Sequence, residues 1–185
     1  MSFVQNFPCF SIVICMVAGI LSTPMKGKQA KNMTLAVVSL VALMSIVTLF
    51  YVMSTGESYT YMMGHFPAPW GNEVRAGVLE AGMALFFCVI MLLSLIGGKH
   101  KLEEEVEETK HNFYYILADL LLGSLLALIY TNDMFTAYVF VEINTIAACG
   151  FIMIRQTGRT IEAAVRYMIM SLLGSGLLLM GLCML

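Results

Sequence analysis

Six apolar runs of membrane-spanning length follow one another along this chain, with short polar stretches between them. A helix needs about 20 mainly apolar residues to cross the hydrocarbon core of a bilayer. The runs cover approximately residues 7–23, 33–54, 76–97, 112–130, 133–154 and 162–185. The pattern therefore predicts an all-α integral membrane fold, with one transmembrane domain over residues 1–185 and six spans.

Composition supports a membrane protein and excludes several other classes. Of the 185 residues 59% are hydrophobic and only 12% are charged, whereas about a quarter of the residues in a soluble domain are charged. The net charge of −2 gives no basic excess for binding nucleic acid. The five cysteines lie inside apolar runs without ligand spacing, so the sequence predicts no catalytic centre, no metal site and no cofactor site in this chain.

The positions of the basic residues predict the orientation. The first run has no basic residues before it, and Lys26, Lys28 and Lys31 come after it, so it is predicted to be a retained first span and not a signal peptide. If the N-terminus lies outside, nine of the ten Lys and Arg residues are cytoplasmic and only Arg75 is outside. This asymmetry predicts a multi-pass protein of the cytoplasmic (inner) membrane with both termini on the outer side.

Two loops differ in character. The outer loop, residues 55–75, carries Pro67, Pro69 and Trp70, and its Pro-Ala-Pro core predicts a cap or hairpin at the membrane interface. The cytoplasmic loop, residues 98–111, is acidic on balance, with five Glu against three Lys. It is predicted to be either a solvated turn or a docking site for a basic peripheral subunit.

The carboxylate of Glu142 stands in the middle of the fifth span. It lies twelve residues after Tyr130 and thirteen before Arg155, so it is out of easy reach of either interface. An ionised carboxylate at the bilayer centre costs at least ~2.5–3.5 kcal/mol, so Glu142 needs a partner or a proton. It is either a protonated side chain that hydrogen-bonds to a neighbouring helix or part of an ion path. Asn144, two residues later, adds hydrogen-bonding capacity on the same helix.

Four further ionisable residues fall in or near the spans. Asp119 and Arg166 lie at similar depths on the fourth and sixth spans, so they could form an ion pair, although Arg166 could instead extend to the headgroups. Glu80 lies near the start of the third span, and Glu162 lies near the start of the sixth.

Three stretches resemble the antiporter-like subunits that are shared by respiratory complex I, Mrp-type cation/proton antiporters and membrane-bound hydrogenases. The first is the outer segment MGHFPAPWGNEVRAG. The second is NFYYILADLLLGSLLALIYTNDMFTAYVFVEINTIAACGFI, and the third is IEAAVRYMIMSLLGSGLLLMG. They cover about the last two thirds of the chain, whereas the first two spans agree with the family only in being hydrophobic.

The resemblance implies roles for particular residues. Glu142 falls on the family's fifth-span glutamate, which modulates the proton affinity of a seventh-span lysine, and Arg166 falls where the family has Lys or Arg before Tyr. Gly77 stands where many members have Asp, with Glu80 one turn later. Family members have about fourteen spans, and the lysine-bearing broken helices lie beyond the six spans found here. The resemblance therefore predicts that another chain supplies the lysine.

The leading hypothesis is a membrane-arm subunit of an H⁺- or Na⁺-translocating complex, such as a redox-driven oxidoreductase, a hydrogenase or an Mrp-type antiporter. Its partners would be other membrane subunits, the lipid bilayer and peripheral redox subunits. The predicted site residues are Glu142, Asp119, Arg166, Glu80 and Asn144. One alternative is a structural scaffold without an ion path. Another is a small-molecule transporter, which would show an internal repeat or interrupted helices, and neither is found.

Overall fold

The computed structural model describes residues 3–62 and 73–184, and six long helices dominate it. They are α1 (Phe7–Leu21), α2 (Gly27–Thr55), α3 (Val78–Gly97), α5 (His111–Tyr130), α6 (Met134–Met153) and α7 (Gly158–Cys183), with the short α4 (Lys99–Glu105) and the strands β1 (Tyr59–Met62) and β2 (Glu73–Ala76) between them. Each of the six is long and apolar enough to cross a membrane. The six predicted spans and the membrane fold are thereby confirmed.

Local sequence signals explain several helix ends. Pro8 lies in the first turn of α1, where its missing N–H would have no helical partner in any case. Asp133 caps α6 by accepting from the Thr136 amide, and Thr157 and Thr160 form a reciprocal capping box at α7. Gly56 ends α2 with a φ of 73°, a left-handed conformation that glycine adopts without strain.

Helix α5 is the centre of the bundle. It packs against α1, α2, α3 and α6, and half of its side chains are buried. Small residues allow the close approach of its neighbours: a Cβ placed at Gly123 would lie 3.1 Å from the Cβ of Cys15 on α1. By contrast, α7 packs mainly against α6, and Ala164 and Ser175 are the only buried residues among its described positions.

The helices alternate between two ends of the bundle. At one end, which we call the basic end, Asn112 donates to the Thr23 carbonyl at 2.9 Å and Gly27 lies against His111. This end carries Lys26, Lys28, Lys31, Lys101, Lys110, Arg155 and Arg159. The other end, which we call the hairpin end, carries β1 and β2. The loops that were predicted to be cytoplasmic therefore share one end.

A hairpin in the outer loop is confirmed for its described parts. Strand β1 pairs antiparallel with β2, from Tyr59 opposite Ala76 to Met62 opposite Glu73. Val74 of β2 also forms a bridge with Thr131, and the Asn132 amide donates to the Glu73 carbonyl at 2.9 Å. The Pro-Ala-Pro core and Trp70 lie outside the described residues.

The acidic loop contains short helical elements. These are α4 and a short 3₁₀ helix, Glu108–Lys110, and Leu102 and Val106 are buried against the bundle. Arg155, just after the end of α6, pairs with Glu105 at 3.5 Å. The described acidic side chains of this segment are exposed, while two apolar side chains face the bundle; the choice between a solvated turn and a docking site stays a prediction.

Candidate ion-translocation site

Glu142 lies deep in the membrane on α6. It comes eight residues after Met134 and eleven before Met153, which places it about 12 Å and about 16 Å from the two helix ends at 1.5 Å per residue. Its side chain is half-buried, and its Oε1 atom is buried with no hydrogen-bond partner among the described residues. Tyr138, one turn earlier on the same face, interacts with the carboxylate.

No cation of the described part of the chain pairs with Glu142. Arg166 binds Glu162, one turn away on α7, and both side chains are exposed. The other ion pairs among described residues lie near the basic end: His100–Glu104, Lys110–Glu107 and Arg155–Glu105. Glu142 is thus a carboxylate near the middle of a span. Either its partner comes from outside these elements, or a proton removes its charge.

Polar contacts link α6 to both of its neighbours close to Glu142. The Ser124 hydroxyl of α5 donates to Oδ1 of Asn144 at 3.3 Å. On the next residue, the Thr145 hydroxyl lies 3.2 Å from that of Ser171 on α7. Asn144 is therefore part of a polar layer, and sequence reasoning missed Ser124. The sequence signal that could have found Ser124 is a hydroxyl residue directly after Gly123 in an otherwise apolar span.

Asp119 is fully buried between α2 and α5. Thr34 of α2, which is also 0% exposed, donates from Oγ1 to Oδ2 of Asp119 at 2.8 Å. The other oxygen, Oδ1, is buried without a partner in the described part of the chain. Sequence reasoning missed Thr34, because a threonine in an apolar span gives no sign of which distant helix it faces.

The suggested ion pair between Asp119 and Arg166 was wrong. Helix α7 packs mainly on α6; Arg166 is exposed, whereas Asp119 is fully buried. Arg166 finds a carboxylate at i−4 on its own helix, in Glu162, which is a favoured spacing for a helical ion pair.

Glu80 lies in the first turn of α3, near the hairpin end. Its carboxylate folds back over Gly77: a Cβ atom added at Gly77 would lie only 2.6 Å from Oε2 of Glu80. An acidic residue in the first turn is favoured by the helix dipole. The five predicted residues thus lie in separate places: Glu142 and Asn144 are both on α6 but, two residues apart, face different sides of it, and Asp119, Arg166 and Glu80 lie apart from them.

A polar cavity opens at the basic end. It has a volume of about 560 Å³ and is lined by Lys26, Gly27, Lys28, Lys31, Asn32, Leu102, Glu108, His111 and Tyr115. Asp119 comes four residues after Tyr115 on α5, so it lies one helical turn deeper, or about 6 Å. The described residues contain no group of three His, Cys, Asp or Glu side chains that could hold a metal ion.

Comparisons with known proteins identify the relatives of this chain. Residues 131–185, which include Glu142, match the family described as NADH:quinone oxidoreductase/Mrp antiporter, TM. NADH-quinone oxidoreductase subunit N of Desulforudis audaxviator is 30% identical over 126 residues, covering 68% of this chain and 25% of that protein. A Na(+)/H(+) antiporter subunit of Bacillus subtilis is 24% identical over 178 residues, covering 96% of this chain and 36% of that protein.

The fold is similar to that of a solved complex. A chain of the Mrp complex from Dietzia sp. DQ12-45-1b superimposes with a TM-score of 0.85 at 21% identity, over 99% of this chain and 34% of that one. The 185 residues therefore span roughly a quarter to a third of the length of the proteins that they match.

Proposed function

Because this chain is a homologue of the antiporter-like membrane subunits, we propose that it forms part of the membrane arm of a multi-subunit ion-translocating complex. Its six spans would place it in the cytoplasmic membrane, with the basic end on the cytoplasmic side, as the distribution of Lys and Arg favours. The relatives from Desulforudis audaxviator and Bacillus subtilis are themselves named as subunits, which supports other membrane subunits as its partners.

One observation carries this proposal: Glu142 is a carboxylate near the middle of a span, and its Oε1 is buried without a partner among the described residues. Ionised carboxylates within a membrane are costly unless they are paired, and they are typical of ion paths. The contact with Tyr138 satisfies the carboxylate only in part. A cation on a helix outside these 185 residues would complete the site.

The proposed role of Glu142 is to set the proton affinity of that cation, for which the family resemblance suggests a lysine. With Glu142 ionised nearby, the lysine holds its proton; when the two side chains move apart, the lysine releases it. Coupling of this kind requires two states that differ in the pairing. Asn144, held by Ser124 of α5, and Thr145, beside Ser171 of α7, would fix the orientation of α6 in either state.

The exposed face of α7 supports the presence of a further helix beside it. Large apolar side chains on this helix are open in the chain alone, among them Leu173 at 63%, Leu177 at 71% and Met180 at 69% exposure. Lipid would cover such a face equally well, so the apolar surface alone does not identify the neighbour. The orphaned carboxylate on the adjacent α6 favours a protein helix that brings a cation.

Replacing Glu142 with Gln in the assembled complex tests the proposal. A unit charge about 4 Å away is worth about 4 kcal/mol at an effective dielectric constant of about 20, so we expect ion pumping per assembled complex to fall at least about tenfold. The measurement is the ion gradient that membrane vesicles build, normalised to the amount of complex. Glu162→Gln is the matched control, because it removes a carboxylate from an exposed pair on α7; it should leave pumping unchanged.

A structural scaffold is the second candidate, and the observation that favours it is the pair of polar contacts that join α6 to its neighbours, Ser124–Asn144 and Thr145–Ser171. If Glu142 is protonated, it can take part in neutral hydrogen bonding on α6 and hold the helix without any ion path. Glu142→Gln would then assemble normally and pump at the wild-type rate. That result would exclude the ion-path role and support the scaffold.

A further inference from the structure

We propose that Asp119 and Thr34 form a second ion site, separate from Glu142, which binds a proton that reaches it from the lysine-lined cavity at the basic end. Asp119 lies on α5, at the centre of the bundle, whereas Glu142 lies on α6. The site depends only on residues of this chain, so it stands or falls independently of the proposed role of Glu142.

The surroundings of Asp119 favour the neutral acid. Its side chain is 0% exposed, and the described residues offer it one hydrogen bond, from the Thr34 hydroxyl to Oδ2 at 2.8 Å. No described Lys or Arg forms a salt bridge with it. A carboxylate in that position would lack the partners that offset its desolvation. Since Oδ2 accepts from the Thr34 hydroxyl, the proton of the neutral acid would lie on Oδ1.

The same surroundings favour a proton over a metal cation. Hard cations such as Ca²⁺ and Mg²⁺ take about six oxygen ligands, and here the oxygens in contact are those of Asp119 and the hydroxyl of Thr34. The titratable neighbour from α1 is Cys15, whose sulfur is a poor ligand for a hard cation.

The cavity lies on the side from which we propose that the proton enters. Tyr115 and Lys31 line it, and Asp119 and Thr34 follow them by four and three residues on α5 and α2, so each lies about one turn deeper. His111 also lies in the lining. Other titratable groups that face this region are Cys15 from α1 and Cys88, which interacts with Cys15, from α3. On the α6 side, Gly150 packs against Leu117.

Infrared spectroscopy of the purified protein tests this site, because a protonated carboxyl has a C=O stretching band that an ionised carboxylate lacks. We expect such a band at neutral pH, lost in Asp119→Asn and retained in Glu142→Gln. We also expect the band to move to lower frequency after transfer to ²H₂O, since the proton exchanges through the cavity. Added Na⁺ should leave the band unchanged.

Thr34→Val is the second variant, and it keeps the test valid if Asp119→Asn does not fold. Removal of the hydroxyl should shift the band to higher frequency, whereas Thr34→Ser should leave it in place. A wild-type spectrum without an Asp119 band overturns the proposal. The proposal is also overturned if the Asp119 band does not shift in ²H₂O while the protein stays folded, or if added Na⁺ removes the band. Glu142→Gln should retain the Asp119 band. The infrared test of Asp119 therefore does not depend on the pumping test of Glu142.

Discussion

At the scale of single residues, two carboxyl groups in the membrane have different surroundings and so different expected roles. Asp119 is fully enclosed and bound by Thr34 from a neighbouring helix. Glu142 is half-buried, interacts with Tyr138 on its own helix, and leaves Oε1 without a partner among the described residues. The first surroundings favour a held proton, and the second favour a cation supplied by another helix.

A third carboxyl group, that of Asp133, gives a prediction about pH. It accepts from the Thr136 hydroxyl at 2.6 Å and from the Thr136 amide at 2.9 Å, and these hydrogen bonds lower the pKa of Asp133. Since the folded pKa lies below that of the unfolded chain, the stabilisation is complete above the unfolded pKa and is lost as the pH falls through the folded pKa. Thermal unfolding midpoints should therefore decline in acid.

Asp133→Ala removes the cap and should cost about 1 kcal/mol of stability. Asp133→Asn is the matched control, because asparagine caps nearly as well and does not titrate. It should keep most of the stability and lose the acid dependence that Asp133 contributes. An Asp133→Asn protein whose midpoint falls with pH as steeply as the wild type would contradict the assignment.

The sequence could predict the depth of Glu142 but not the partner of Asp119. Depth follows from counting residues along a helix, and Glu142 is the one charged residue between Asp133 and Arg155. The partner of Asp119 is Thr34, 85 residues away, and it is fixed by the way in which α2 and α5 pack. The suggested Arg166 pair failed for the same reason, since equal depth does not imply adjacent helices.

At the scale of elements, the glycines of α5 and α7 have opposite surroundings. A Cβ at Gly123 of α5 would lie 3.1 Å from the Cβ of Cys15 and 3.6 Å from the backbone nitrogen of Met16. A Cβ at Gly174 of α7 would have no described neighbour within 4 Å. Only the packing distinguishes Gly123, where a larger side chain would collide with α1, from Gly174, which has open space beside it.

These two positions form a matched pair of variants. Gly123→Leu should force α1 away from α5 and lower the unfolding midpoint, because overpacking a close helix contact typically costs about 1–3 kcal/mol. Gly174→Leu should leave the midpoint of the chain unchanged. If another subunit packs on that face of α7, the same change should reduce assembly of the complex; equal stability losses at both positions would contradict this packing.

At the scale of the whole molecule, a bundle organised around α5 carries a less enclosed pair, α6 and α7. In the membrane-spanning windows, 56% of the residues of the α5 segment are buried, but only 17% in α6 and 11% in α7. The helix that carries Glu142 thus joins the enclosed part of the molecule to its most open helix. Hydropathy could predict six spans, but it could not show which of them form the interior, because lipid-facing and buried spans are equally apolar.

Amide hydrogen exchange should reproduce this difference. We expect α7 to exchange faster than α5 in the chain alone, because opening α7 disrupts fewer buried contacts. In the assembled complex, α7 should become protected while α5 changes little. Mass spectrometry of peptides from the two helices measures both, and an α7 that exchanges equally with and without the complex would argue against a protein neighbour at this face.

The link between β2 and the turn before α6 has a mechanical consequence. The pairing of Val74 with Thr131 and the bond from Asn132 to Glu73 anchor that turn to the hairpin. A rigid rod that is pinned at one tip moves most at the other, so any tilt of α6 would pivot there and displace Arg155 further than Glu142. The far end of α6 lies at the contact of Arg155 with Glu105. A tilt of the helix that moves Glu142 only slightly would therefore move this contact the most.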